Sequence, residues 1–380
     1  MVAGQLHNLW FLIMNVTEMY YEYPSRKGCN FIVDADKDFS WLRSYDFSEF
    51  ERLIVCYDSN VCDLYLSKVF EALNSHAQEI IKISLLASEE TKSLNYYCKF
   101  IQNLEYHGCT KFDLTIAVGG GTILDLVSFS ASTYMRGIPL MMIPTTLMGQ
   151  VDASTAGKTC INTSNTKNML GTFYYPRLVY NNVNFLLEQN PYYFRQGLSE
   201  VLKYGLLDST ELVNHLSKGS SKNDLEWLCK LVILTIQSRV KICKIDPAAS
   251  NLGHTFGHAI EKLSNYTVLH GDAINIGTVM ALYFSLKIGI INEEIVLSII
   301  EIMRNLQLNL FVDPKYNVSQ FIELMRRDKK CSNKYLNLVL IADIGKPYEA
   351  NGSRFFKASY EVMTEFLNDF LSSSEFIFEK

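Results

Sequence analysis

The chain has 380 residues, 48 % of them apolar and 20 % charged, which is ordinary for a globular protein and long enough for two domains with cores of their own. A formal net charge of −5 argues against a nucleic-acid binder, and no stretch reaches the ~20 apolar residues of a membrane span. Nine scattered cysteines without a CxxC pair read as reduced thiols, and no basic segment precedes the short apolar run at 9–14, so a cytoplasmic protein without a signal peptide is expected.

Residues 53–57 form a β-rich run that ends at Asp58-Ser59-Asn60. Helical spacing follows over 61–73, then a strand over 80–86 and helical spacing over 92–107. A third strand, 114–118, runs into Gly119-Gly120-Gly121 and a helix over 123–133. Strand, crossover helix and strand predict a parallel sheet. Beyond about 185, apolar residues recur at helical spacing over 198–207, 225–243, 255–263, 273–288 and 293–306, with one β-like piece at 336–341. The predicted fold is α/β: a Rossmann-like parallel-sheet nucleotide-binding domain over 1–185, and an all-helical metal-binding domain over 186–380. Ligands are expected in a cleft between the two. Residues 1–50 and 350–380 carry no legible role.

Three features carry chemistry. The Gly119-Gly120-Gly121 turn lets a backbone approach a phosphate, and the helix after it offers N–H groups and a favourable dipole. It is not GxGxxG, so it names no cofactor by itself. His254, His258 and His270, three of the seven histidines, lie within a short stretch. His254 and His258 share a helix face, and imidazoles suit Zn²⁺, but spacing alone leaves either one as the ligand. Hydroxyls, amides and lysines crowd Thr145 to Asn168, a composition suited to a polyhydroxylated phosphate ester.

Met135-Arg136-Gly137, Pro144-Thr145-Thr146, Val151-Asp152 through Lys158-Thr159, and Lys167-Asn168 come in the order found in 3-dehydroquinate synthases. So do Gly197-Leu198-Ser199-Glu200-Val201-Leu202-Lys203 and the run from Asn251 to Glu261, Asn-Leu-Gly-His-Thr-Phe-Gly-His-Ala-Ile-Glu. Over about 58–345 the chain resembles that family of sugar phosphate cyclases. The resemblance implies Glu200, His254 and His270 as ligands of Zn²⁺ or Co²⁺. It implies NAD held by Asp58, Asn60, Glu89, Lys92, Gly119, Gly120, Gly121, Asp125, Thr145, Thr146 and Lys167. Substrate binding and proton handling fall to Arg136, Asp152, Lys158, Asn168, Lys203, Asn251, His258 and Lys330. The implied reaction turns 3-deoxy-D-arabino-heptulosonate 7-phosphate into 3-dehydroquinate and phosphate, by transient oxidation, elimination, reduction and aldol closure, in a homodimer.

The pattern departs in four places. Between Asp246 and Asn251 about six residues and a substrate-binding Arg are missing. Arg239 stands where a lysine is usual, unless Lys241 takes that role; Asp272 replaces a Glu, and Leu124 a Gly. The first two fall on the substrate side, which keeps alternatives in view: a 2-deoxy-scyllo-inosose or 2-epi-5-epi-valiolone synthase, a metal-dependent polyol dehydrogenase, or a degenerate cyclase that only binds.

Overall fold

The computed structural model describes residues 16–23, 26–61, 63–75, 79–163, 167–219, 221–313, 315–326 and 334–373. The chain clusters into two compact units. One runs to Asn190 and takes in Ser221–Ile233; the other spans Pro191–Ser220 and continues from Leu234.

In chain order the first part contains β1 (Val16–Tyr23), β2 (Arg26–Asp34), α1 (Ser40–Ser44), β3 (Leu53–Asp58), α2 (Asp63–Asn74), β4 (Ile80–Leu85), α3 (Leu94–Tyr106), β5 (Leu114–Gly119) and α4 (Gly121–Thr133). It continues with β6 (Leu140–Pro144), β7 (Lys158–Ile161), β8 (Leu170–Phe173), β9 (Leu178–Asn182) and α5 (Asn184–Glu188). Seven strands form one sheet in the order β1-β2-β9-β6-β5-β3-β4, parallel throughout except for β1 against β2. Every residue of β5 and β6 is buried, which explains their unbroken apolar runs: such a strand is covered on both faces. Ile116, Val118, Val55, Val69 and Tyr180 belong to one buried cluster. Each large apolar side chain buried there contributes ~1.5–3 kcal/mol. Trp41 of α1 stacks on Tyr180, ring centres 5.4 Å apart, so the segment illegible in sequence closes one side of this core.

The chain leaves β3 toward β4, then returns to place β5 on the other side of β3. Connections diverge at that point, and the carboxyl ends of β3 and β5 flank the crevice where open α/β sheets bind ligands. Asp58 ends β3, and Gly119 ends β5.

Three expectations shift in detail. The helix expected over 92–107 is a 3₁₀ turn, Glu89–Thr91, followed by α3; Lys92 sits between them. The helix after the glycines begins at Gly121 rather than Ile123. The stretch 158–173, for which the sequence predicts no element, contains the β7–β8 hairpin. Strands of four residues give too few alternations to register as a period.

The second part holds α6 (Pro191–Asp208), α7 (Thr210–Ser217), α8 (Leu225–Ile245), α9 (His254–Leu263), α10 (His270–Lys287), α11 (Glu293–Asn305), α12 (Val318–Arg326), β10 (Tyr335–Val339), β11 (Ile341–Asp343), β12 (Lys346–Pro347), β13 (Phe355–Ser359) and α13 (Tyr360–Ser372). It is predominantly helical, with two small two-stranded sheets, β10-β13 and β11-β12, in addition. Glycines set how closely its helices approach. A Cβ on Gly277 would lie 2.1 Å from the Gly253 carbonyl oxygen, and one on Gly257 would lie 2.9 Å from the Ala273 carbonyl oxygen. A Cβ on Gly271 would lie 2.6 Å from the Gln196 carbonyl oxygen. So α9 packs backbone to backbone on α10, and the start of α10 packs likewise on α6. Gly253 also has φ +74°, a conformation that suits glycine and lets α9 begin abruptly at His254.

Candidate metal centre and cofactor turn

The glycine contacts carry one residue from each of three helices to a common point. Glu200 lies mid-way along α6, His254 opens α9 and His270 opens α10. Each offers a ligand atom, and the three atoms lie within 4.8 Å of one another. Glu200 is fully buried, and its Oε1 has no hydrogen-bond partner. That oxygen stands 3.7 Å from His254 Nε2 and 3.6 Å from His270 Nε2. These separations are long for hydrogen bonds but near the ~3.4 Å between two ligands of one tetrahedral ion. A buried carboxylate oxygen without a partner is costly; a divalent cation shared with the two imidazoles would satisfy it. The donor set therefore fits the ion that the resemblance implies, and it takes His254 rather than His258 as partner to Glu200.

The electrostatics agree. Burial opposes the charge on Glu200, but Lys203 and His270 outweigh it and hold the carboxyl well below the usual range. Burial likewise disfavours a charged His270, yet the neighbouring Glu200 and Glu261 carboxylates push its pKa up to about 10. The two carboxylates attract positive charge to this spot. Lys203, 2 % exposed, donates to Glu200 and also to the Tyr204 hydroxyl at 3.2 Å. The Arg239 guanidinium carbon lies 5.1 Å from the centre of the Tyr204 ring and is buried. Lys241 is exposed and paired with Asp208 at 2.6 Å, so of the two candidates Arg239 is the one beside Lys203 and its neighbours.

His258 clusters with these two histidines, its ring centre 5.3 Å from that of His254 and 6.2 Å from that of His270. The shortened segment after α8 is a single 3₁₀ turn, Pro247–Ser250, capped by the Asp246 carboxylate, which accepts from the Ala248 N–H at 2.8 Å. Asn251 ends it and donates to the Ala248 carbonyl at 2.7 Å. Asp272 accepts from the Tyr192 hydroxyl at 2.8 Å. Lys330 lies outside the described residues.

In the first unit the glycine turn is built for close approach. A Cβ on Gly119 would meet Ile123 at 2.9 Å and Asp58 at 3.2 Å, and one on Gly120 would meet Thr146 at 3.1 Å. No side chain caps the start of α4, which leaves its N-terminus to an anion such as a pyrophosphate. Asp58 Oδ1 accepts from the Asn60 and Ala87 N–H groups at 2.9 and 3.2 Å, which shapes the turn after β3. The Thr145 N–H donates to the Gly119 carbonyl at 3.0 Å, and Thr146 Oγ1 accepts from the Gly149 N–H at 3.1 Å. Lys92 forms an ion pair with Asp125 of α4. Burial works against the Lys92 charge, but Asp125 overrides it and raises the pKa; on Asp125 burial is the larger influence and holds the carboxyl above its usual range, although Lys92 draws it down.

Around this turn the hairpin gathers further residues. Glu89 accepts from Asn162 Nδ2 at 2.6 Å and pairs with Lys167 at 3.4 Å. The Asn168 N–H donates to Asn162 Oδ1 at 2.9 Å, and Asn168 takes φ +55°. Lys158 opens β7 on an exposed position, Asp152 lies in a π-helical turn over Gly149–Ala153, and Arg136 is exposed with φ +64°. Sequence reasoning missed Cys160, whose Sγ lies 3.3 Å from Asn168 Oδ1 and 3.7 Å from Asp125 Oδ2. It also gave no role to Asn162 or Glu261. For Glu261 a signal existed: it stands seven residues after His254 on one helix face.

The fold is that of the sugar phosphate cyclases. A solved structure of 2-deoxy-scyllo-inosose synthase complexed with carbaglucose-6-phosphate, NAD⁺ and Co²⁺ superposes with a TM-score of 0.83 at 22 % identity, covering 93 % of this chain and 100 % of that one. The 2-epi-5-epi-valiolone synthase of Streptomyces hygroscopicus with NAD⁺ and Zn²⁺ bound gives 0.80 at 21 % identity, covering 93 % and 99 %. An iron-containing alcohol dehydrogenase is more distant, at 0.63 and 14 %, covering 95 % and 98 %.

Sequence narrows the class. The 3-dehydroquinate synthase N-terminal profile matches residues 82–196 and the C-terminal profile 197–331. The 3-dehydroquinate synthase of Sulfurisphaera tokodaii is 36 % identical over 302 residues, 76 % of this chain and 86 % of that protein. That of Francisella tularensis is 34 % identical over 328 residues, 83 % and 90 %. The chain belongs to the 3-dehydroquinate synthase family.

Proposed function

We propose that this chain is a 3-dehydroquinate synthase, a carbon–oxygen lyase that converts 3-deoxy-D-arabino-heptulosonate 7-phosphate to 3-dehydroquinate and phosphate. The observation that carries the reading is the buried, unpartnered Oε1 of Glu200 facing two imidazole nitrogens. Named relatives over most of the chain support it. When bound, NAD accepts and returns a hydride, and a zinc or cobalt ion polarises the substrate oxygens.

The chain's own residues do the rest. Glu200, His254 and His270 hold the ion, and Lys203 fixes Glu200 so that Oε1 stays turned to the imidazoles. Gly119, Gly120 and Gly121 with the α4 N-terminus receive the dinucleotide's pyrophosphate, while Asp58, Asn60, Glu89, Lys92, Asp125, Thr145, Thr146 and Lys167 shape that pocket. Arg136, Lys158 and Lys330 supply charge for the substrate phosphate. Asp152, Asn168, Asn251 and His258 bind its hydroxyls or carry protons. The enzyme acts in the cytoplasm on this small molecule, with neither nucleic acid nor membrane as partner; the homodimer rests on the resemblance alone.

The test is phosphate release from the heptulosonate phosphate with NAD and Zn²⁺ or Co²⁺, run beside glucose 6-phosphate and sedoheptulose 7-phosphate. Release from the first without net NADH is expected. The single 3₁₀ turn at Pro247–Ser250, which carries no Arg, favours a second reading: a cyclase for a substrate without a carboxylate. Turnover of either other sugar phosphate alone would select it, and accumulating NADH would point to a dehydrogenase.

A further inference from the structure

Each metal histidine has two nitrogens, and the structure accounts for both on each ring. His254 Nδ1 lies 3.1 Å from the Leu252 carbonyl oxygen, which only accepts; Nδ1 therefore carries the proton and Nε2 presents its lone pair toward Glu200. His270 Nδ1 lies 3.3 Å from Oε2 of Glu261, while its Nε2 faces the same Glu200 oxygen. Glu261 is 8 % exposed and sits on α9, the helix that His254 begins. Its position on that helix ties the orientation of His270, on α10, to the helix that supplies His254.

We propose that Glu261 is a positioning residue for the metal centre. Its carboxylate accepts a hydrogen bond from the His270 Nδ1–H, fixes the tautomer that leaves Nε2 free for the ion, and makes that imidazole the more electron-rich of the two. A carboxylate behind a ligating histidine is a known means of raising metal affinity. The two anchors are unequal: a charged side chain holds His270, and a neutral backbone carbonyl holds His254. The inference rests on the metal centre of the proposed function but not on its substrate.

A competing arrangement shares the same atoms. His258, Glu261 and His270 also offer ligand atoms within 4.8 Å of one another, as a second ion would require. Here Glu261 would be a ligand itself, and His270 would have to give up its Nδ1 proton. Stoichiometry separates the two.

The experiment titrates metal-stripped protein with Zn²⁺ against a chromophoric chelator and records the Co²⁺ absorption spectrum of the same samples. Glu261→Gln keeps the shape and removes the charge; Glu261→Ala removes the acceptor. Native protein is expected to bind one equivalent. Glu261→Ala should bind that equivalent ~10–100-fold more weakly, and Glu261→Gln should fall between the two, with metal-free melting temperatures within a few degrees of native. An unchanged affinity in both variants overturns the proposal. Two equivalents in native protein and one in Glu261→Ala overturn it in favour of the second ion. Glu200→Ala serves as the reference: if it still binds metal tightly, the centre itself is misplaced. Normal metal binding without heptulosonate turnover would sink the proposed reaction and leave this inference standing.

Discussion

Lys203 and Glu200 are both buried, and each makes the other tolerable. Removing one partner leaves an uncompensated charge, which typically costs ~3–5 kcal/mol. Lys203→Ala should thus lower stability in urea titration and, by freeing the Glu200 carboxylate to turn, weaken Zn²⁺ binding. Cys160 allows a check by pH. Burial and then Asp125 push its thiol up to about 11, so the neutral form dominates at pH 8 and the thiolate is only ~0.1 % of the total. Because the shift is upward, reactivity keeps growing with pH beyond the point where an ordinary thiol levels off. Alkylation of Cys160 followed by peptide mass spectrometry should accelerate about tenfold per unit between pH 8 and 10; a flat profile would mean the thiol is not in this environment. At this scale the convergence of Glu200, His254 and His270 was legible, because these side chains sit in dense ordered motifs. The partner of Asn162 was not: its bond to Glu89 joins segments far apart in the chain, which the polar composition around Asn162 does not reveal.

Helices α6, α8, α9, α10 and α11 were legible from their apolar period, whereas the shorter α7 and α12, the C-terminal α13 and the reason for the glycines were not. By propensity alone Gly257 and Gly277 weaken a helix; in three dimensions they and Gly253 are the contact surface between α9 and α10. A methyl group at Gly277 has no room against the Gly253 carbonyl oxygen. Gly277→Ala is expected to destabilise the protein by about 1–3 kcal/mol and to weaken metal binding together with stability, since His254 directly follows Gly253. Calorimetry and the chelator titration check both; a stable variant with normal affinity would show that the helices can separate without disturbing the ligands. The β7–β8 hairpin failed to register for the opposite reason, being short and polar, although it carries Lys158 and Cys160.

On the scale of the whole molecule, the alternation of strands and helices up to about residue 133 announced the parallel sheet, whereas the edge strand β1 and its neighbour β2 lie in a stretch without that rhythm. A ligand that binds only the folded chain adds to its stability by mass action, ~2.7 kcal/mol at a hundred times its dissociation constant. Zn²⁺ or Co²⁺ should therefore raise the melting temperature of stripped protein by several degrees, and the rise should vanish in Glu200→Ala. NAD should raise the melting temperature separately, and Lys92→Ala should reduce that effect while sparing the metal's. If the two ligands prove interchangeable in these variants, the assignment of residues to each is wrong.

The carbonyl behind His254 belongs to Leu252, two residues upstream on the main chain. No codon change can delete it, because every amino acid contributes the same oxygen there. Of the two tethers that orient the imidazoles, then, genetic variation has access to the one on Glu261 alone. Over long descent the grip on the ion is open to tuning from that side and fixed by the polypeptide on the other. Main-chain amide-to-ester replacement, made by chemical synthesis, would address the fixed tether: an ester following Leu252 has a poorer acceptor oxygen and would loosen the ring that substitution leaves in place.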